Sequence, residues 1–173
     1  QSSETRAIDQ DQQKLINMFP VESGQGGKKQ FVLYPTPGLK DFAEVGGGSE
    51  GRAIASTQGI LFTVIDNKLY STASGSSTLT EEGTLNTSTG FVDITAIQDQ
   101  ILLADGTNIY TYTISTDTFA EVTDVDAQDT TNSVTAIDGY FITVAEGTDN
   151  FYISQLNDGT SWSATDTASA EGA

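Results

Sequence analysis

Three stretches of the chain repeat one order of apolar and polar positions. Each is an apolar run, a polar turn, then an apolar residue followed by tyrosine: Gly59–Tyr70, Gln100–Tyr110 and Gly139–Tyr152. The closing tyrosines, Tyr70, Tyr110 and Tyr152, stand 40 and 42 residues apart. The pattern divides each repeat into four short strands. The first repeat gives Arg52–Thr57, Ile60–Ile65, Lys68–Thr72 and Thr78–Leu85. The second gives Phe91–Ile97, Gln100–Ala104, Asn108–Ser115 and Thr118–Val125. The third gives Ser133–Ile137, Tyr140–Ala145, Asn150–Gln155 and Ser161–Asp166. The second strand of each repeat is almost wholly apolar, as a strand covered on both faces should be. In the third strand of the second repeat, Tyr110, Tyr112 and Ile114 alternate with Thr111 and Thr113, which predicts a half-exposed strand.

The turns between second and third strands are Asp66-Asn67, Asp105–Asn108 and Glu146–Asn150. Asp, Asn and Gly tolerate the positive φ of tight hairpins. Four antiparallel strands per unit at a period near ~40 residues predict an all-β fold, a partial β-propeller of about three blades. The alternative is an ordinary sandwich or meander with evenly spaced hairpins.

The predicted organisation is an arm over residues 1–13, N-terminal strands and a Gly-rich connection over 14–51, and three blade repeats over 52–173 (52–87, 88–128 and 129–173). Phe31–Tyr34 reads as a strand, and Pro35-Thr36-Pro37-Gly38 as an extended segment and turn. Leu39–Val45 looks like the fourth strands of the repeats, so the N-terminal part is expected to supply outer strands to a blade. Gly24–Lys29 reads as a flexible loop, with Lys28 and Lys29 at a solvated tip.

Composition narrows the function classes. The 173 residues hold 24 acidic and 7 basic side chains, a net charge of −17. DNA affinity rests largely on Lys and Arg displacing counterions, so a surface this acidic repels nucleic acid, and anionic membranes are disfavoured for the same reason. There is no Cys and no His, which removes disulfides, thiolate metal sites and the usual Ser-His-Asp triad. No apolar run approaches the ~20 residues of a membrane-spanning helix. The chain starts without Met and ends on Glu171-Gly172-Ala173, so a piece of a longer polypeptide is expected.

Three groups of residues carry a family resemblance. They are Leu15–Pro20 followed by Val32–Lys40; Val134–Phe141; and Phe151–Trp162 running on to Ala168–Gly172. In order and spacing they resemble the packaged-DNA stabilisation protein of short-tailed bacteriophages, also described as a tail accessory factor or tail nozzle protein. Residues 60–125 match it in pattern only, and the resemblance covers the N-terminal part of a typical member. It implies a virion component of the tail: a propeller-bearing hub or nozzle below the portal. It also implies a homo-oligomeric ring, sixfold, around the DNA exit channel, with contacts to portal or adaptor and to tail fibre or spike proteins. Genomic DNA would pass through without specific binding, and an acidic wall would let it slide. The family offers no catalytic residues and no cofactor to transfer.

The remaining candidates are weak as chemistry. Asn157, Asp158, Gly159 and Trp162 resemble the Asp-box turn of sialidase-like propellers, with Asn157 at the usual Asp position. That motif is a fold-stabilising turn, and Trp162 is expected at or near a blade interface. Glu81-Glu82 and Asp124, Asp126 and Asp129 are the carboxylate clusters from which glycoside hydrolysis or calcium binding would have to be built. In a chain with so many acids some clustering is ordinary, and the EF-hand spacing is absent. Gly46–Gly51 lacks the Lys-Ser/Thr and the helix of a phosphate loop. The leading expectation is a structural, non-enzymatic tail protein. The alternatives are a propeller-like carbohydrate-binding or depolymerase component of a tail, and an acidic β-repeat adhesin.

Overall fold

The computed structural model describes residues 18–22, 31–38, 40–46, 49–127 and 130–170. The chain divides into two compact units, Gln1–Asp41 and Phe42–Ala173. The described part of the first is a hairpin. Strand β1 (Met18–Glu22) pairs antiparallel with β2 (Phe31–Pro35), Met18 opposite Pro35 and Glu22 opposite Phe31. The Phe19 and Tyr34 rings stack, with centroids 6.3 Å apart. Pro20 sits within β1, which an edge strand tolerates because no ladder donor is needed there. The expected arm and the Gly24–Lys29 loop lie outside the described residues.

The second unit holds three four-stranded antiparallel sheets, each a simple meander. The first sheet is β3 (Gly51–Thr57), β4 (Ile60–Ile65), β5 (Lys68–Ala73) and β6 (Thr80–Thr84). The second is β7 (Asp93–Ile97), β8 (Gln100–Ala104), β9 (Ile109–Thr113) and β10 (Thr118–Glu121). The third is β11 (Val134–Ile137), β12 (Tyr140–Val144), β13 (Asn150–Gln155) and β14 (Asp158–Ser169). The initial strands neighbour one another, β3 beside β7 and β7 beside β11. These are the inner strands of three blades, and β6, β10 and β14 are the outer edges. Among the described residues the only helical piece is a 3-10 turn, Ile114–Thr116.

Period-2 alternation builds the core. In β8, Ile101 and Leu103 face the first sheet while Leu102 and Ala104 face the third, and all four are fully buried. The seam between sheets 1 and 2 packs Phe62, Val64, Leu69, Ile101, Leu103, Tyr110 and Tyr112. The seam between sheets 2 and 3 packs Leu102, Ile109, Val134, Phe141 and Trp162. The first-to-second-strand turns place Gln58, Gln98 and Asp138 at positive φ, followed by Gly59 and Gly139 in two of them. That geometry suits the right-handed twist of the flanking strands.

The structure departs from the sequence reading at several elements. Strand β1 was not expected. Residues 40–45 form no strand, so the resemblance of Leu39–Val45 to the fourth strands does not translate into one. Strand β9 is covered on both faces: Tyr110 and Tyr112 share a face, but Thr111 on the other is only 2% exposed. Ile114 belongs to the 3-10 turn. The last strand runs from Asp158 to Ser169 rather than over 161–166, with irregular register against β13 between Tyr152 and Gln155.

Candidate functional site

Polar chemistry concentrates where sheets meet, and the two seams are built differently. At the first, Arg52 enters from β3 and is 5% exposed. Its Nε donates to the Gly90 carbonyl at 2.7 Å. One terminal nitrogen reaches the carbonyls of Asp66 (2.8 Å) and Thr87 (2.7 Å). The other reaches Thr87 Oγ1 (2.8 Å) and the Thr89 carbonyl (2.9 Å). All five guanidinium donors are thus used. Four of the acceptors are backbone carbonyls, three of them in the connection from β6 to β7.

Thr87 Oγ1 passes the network on, donating to Asp105 Oδ2 at 2.8 Å. Tyr110 Oη also reaches Asp105 Oδ2 (3.2 Å), and the Asn86 amide donates to Tyr110 Oη (2.9 Å). Asp105 Oδ1 accepts the amides of Thr107 and Asn108, which closes the β8–β9 turn. Burial opposes the Asp105 charge, yet its Asn108, Thr87 and Thr107 donors together hold the carboxyl below the usual range. Burial pushes the Tyr110 phenol up to about 12, and the Asp105 charge adds to that. At the outer edge, Phe119 of β10 stacks on Tyr110 (5.4 Å) and lies against Gly83 of β6.

At the second seam, side chains of sheet 2 accept or meet backbone amides of sheet 3. Asp93 Oδ2 accepts Val134 N–H (2.9 Å), Gln100 Oε1 accepts Gly159 N–H (2.8 Å), and Asp124 Oδ2 accepts Trp162 N–H (2.9 Å). Asp124 Oδ1 also takes the Asp126 amide, and the two backbone donors lower the Asp124 pKa. Of the Asp-box-like segment, Gly159 and Trp162 reach this seam, while Asn157 and Asp158 bond within sheet 3. Asn157 turns at φ 55° and bonds back to the Gly139 carbonyl (2.7 Å). Asp158 Oδ1 accepts Thr160 N–H (2.9 Å) and Oγ1–H (2.6 Å). Trp162 is buried, its Nε1 donating to the Gly159 carbonyl at 2.9 Å. A Cβ on Gly159 would sit 3.0 Å from the Phe141 ring.

The other carboxylate candidates are engaged in the same structural way. Glu81 pairs with Lys68 (2.6 Å), and Glu82 accepts from Ser71 Oγ. Asp129 lies outside the described residues. Among the described residues no three acidic side chains converge as a metal site would need, and no helix is long and apolar enough to cross a membrane. The inner strands β3, β7 and β11 carry one carboxylate, Asp93, and one cation, Arg52; Glu81, Glu82, Glu121 and Asp166 lie on or within outer strands. Sequence reasoning passed over Arg52, Asp93 and Gln100. Arg52 left a signal: a lone cation opening a strand of Ala, Ile, Ser and Thr.

Three successive four-stranded meanders with neighbouring inner strands and two-sided seams define a β-propeller protein. The chain also resembles two designed proteins in fold. It aligns with the computationally designed Ika4 protein at TM-score 0.55 and 10% identity, over 78% of this chain and 81% of that one. It aligns with the designed Ika8 protein at TM-score 0.52 and 10% identity, over 85% of this chain and 45% of that one. No curated protein matches. The chain belongs to the phage stabilisation family, described as "Bacteriophage P22 Gp10, beta-propeller", whose family model matches residues 3–173. It is therefore a phage structural protein of the packaged-DNA-stabilising kind.

Proposed function

We propose that the chain forms part of a tail hub or nozzle below the portal, in a homo-oligomeric, sixfold ring around the DNA exit channel that retains the packaged genome and contacts portal, adaptor, fibre or spike proteins. The observation that carries this reading is the family match over residues 3–173. The side-chain chemistry is consistent with a scaffold. Its acids accept backbone amides, close turns or pair with Lys68, and the Asn157–Trp162 turn acts as a fold-stabilising clamp between sheets 2 and 3.

The charge supports a conduit that DNA slides past. Few carboxylates lie on the inner strands, so an acidic wall would have to come from the outer strands and turns, such as Glu146–Asn150, and not from the propeller axis. Loops and blade edges are then the contact surfaces with neighbouring tail proteins. Cryo-electron microscopy of virions tests the proposal. Density for this chain in a ring on the portal axis is the expected result; density at the capsid surface, or none in virions, refutes it. A glycan-binding signal lost in Asp124→Ala and Asp126→Ala would instead favour the carbohydrate-binding alternative.

A further inference from the structure

The turns that join first and second strands take one path in all three sheets. Each leaves two residues between paired strand ends, Thr57 and Ile60, Ile97 and Gln100, Ile137 and Tyr140. Gln58, Gln98 and Asp138 hold the first turn position at φ 51°, 33° and 50°, and all three are exposed. Glutamine thus stands there in sheets 1 and 2, whereas sheet 3 has aspartate followed by glycine. The fold dictates that glycine. Gly139 sits at φ 86°, and a Cβ on it would lie 2.8 Å from Asn157 Oδ1 and 3.0 Å from Leu156 Cδ1. Aspartate before glycine is the pair in which the main chain attacks its own side chain most readily. Glycine leaves its amide nitrogen unshielded, and the ring that closes has five members; glutamine would have to close a strained-for-entropy ring of six.

The described chain holds three Asp-Gly pairs, and two of them are restrained. Asp105 is 7% exposed. Its carboxyl accepts the amides of Thr107 and Asn108 and the hydroxyls of Thr87 and Tyr110. Those donors fix the carboxyl in place and favour its ionised, unreactive form. In the pair Asp158-Gly159, Asp158 Oδ1 accepts the amide and hydroxyl of Thr160. The attacking atom is also engaged, since Gly159 N–H donates to Gln100 Oε1 at 2.8 Å. Among the described residues no hydrogen bond engages the Asp138 carboxyl or the Gly139 amide. Beyond the Ile137–Tyr140 pairing, this turn is tied by one bond, from Asn157 N–H to the Gly139 carbonyl at 2.7 Å.

We propose that Asp138-Gly139 is a site of spontaneous isoaspartate formation. The turn opens briefly, a motion from the low-energy end of native fluctuations. The Gly139 nitrogen then attacks Cγ of the neutral Asp138 carboxyl. A C–N bond forms, the C–OH bond breaks, and water leaves with the amide hydrogen, giving a succinimide. Water returns at either carbonyl. Addition at Cγ restores aspartate. Addition at the main-chain carbonyl leaves the chain running through Cγ, as isoaspartate. Nothing is oxidised or reduced, and water is the only co-reactant, so the product accumulates with the age of the protein. It places one extra methylene in the main chain of a two-residue turn. The Ile137–Tyr140 pairing and the Asn157–Gly139 bond must both loosen, so sheet 3 frays at that end.

The test ages the purified chain in neutral buffer and follows isoaspartate by methyl transfer from isoaspartyl methyltransferase, with electron-transfer fragmentation of thermolysin peptides to place each site. A synthetic peptide of residues 136–141 gives the rate without a fold. Label is expected at Asp138. Conversion at Asp105 and at Asp158 should be slower by roughly tenfold or more, the factor that losing one hydrogen bond to a charged group imposes. Asp138→Glu changes an exposed side chain and forbids the five-membered ring, so it should stay folded by circular dichroism and lose the label. In aged protein, hydrogen exchange should quicken at Tyr140 and Asn157. Equal conversion at Asp105 or Asp158 would overturn the assignment, as would label that persists in Asp138→Glu. So would an unlabelled Asp138 in folded protein at an age when the peptide has fully converted, since the turn would then be a shield.

Discussion

The seam between sheets 1 and 2 and the seam between sheets 2 and 3 solve one packing problem with opposite electrostatics. Both bury large apolar side chains from two alternating faces. The first is tied by a cation, Arg52, which gathers backbone carbonyls from the connecting segment and from the β4–β5 turn. The second is tied by side-chain acceptors, Asp93, Gln100 and Asp124, which gather backbone amides from the following sheet. Repetition fixes the apolar code, therefore, while the polar ties are free to differ from seam to seam.

The sharpest way to break the comparison is to remove the organiser of each seam. Arg52→Met should destabilise by about 3 kcal/mol, because a buried guanidinium that satisfies five acceptors at once is lost. Trp162→Ala should cost roughly 3–5 kcal/mol through lost burial and the cavity left behind. Denaturant melts give the totals, and hydrogen exchange gives the location. Arg52→Met should expose amides of β3–β6 first, and Trp162→Ala those of β11–β14. Equal loss of protection everywhere in both variants would show one cooperative core rather than two seams.

Gly83→Ala comes next. Its Cβ would lie 2.2 Å from the Phe119 ring, so the Phe119–Tyr110 stack must shift, at about 1–3 kcal/mol. Thermal midpoints across a Gly83→Ala, Phe119→Leu cycle read the coupling, which should be relieved in the double variant.

Acid and base sharpen the same contrast. The carboxyls of Asp105 and Asp124 are depressed in the folded state. Their contribution is complete above the ordinary carboxylate value of 3.8 and fades as pH falls through the folded pKa. Acid should therefore weaken both seams, and Asp124→Asn should flatten only the part of the acid limb that belongs to the second. Tyr110 is raised to about 12 from 10.0. Its contribution is complete below 10 and is lost as pH rises toward 12, so Tyr110→Phe should soften the alkaline limb through the first seam alone. Ultraviolet tyrosinate titration, with stability measured at each pH, checks both signs.

The smallest effect concerns Thr143. Its buried Oγ1 has no hydrogen-bond partner among the described residues, so Thr143→Val should stabilise by about 1 kcal/mol.

Legibility in the sequence followed burial. The bounds of β4 (Ile60–Ile65) and β8 (Gln100–Ala104) match the apolar runs at both ends, since two-sided burial leaves a continuous signal cut off by polar turns. The outer strands blurred. Thr118–Val125 shortens to Thr118–Glu121 and Ser161–Asp166 lengthens to Asp158–Ser169, because an edge strand packs on one side and its Thr, Ser and Asp residues carry little period. Strand β1 was hidden by Pro20. Trp162 packs in the buried cluster with Leu102, Ile109 and Phe141. The ties at Asp93 and Gln100 had no local signature, since each is defined by an amide 41 or 59 residues away.

The connection from β6 to β7 is held mainly through its own carbonyls. Thr87, Thr89 and Gly90 converge on one guanidinium. A pull applied along the backbone there would load that guanidinium together with the Thr87–Asp105 and Asn86–Tyr110 bonds. Tension on the first blade would thus be gathered largely at one cation, whereas at the second seam it would be spread over three separate acceptors.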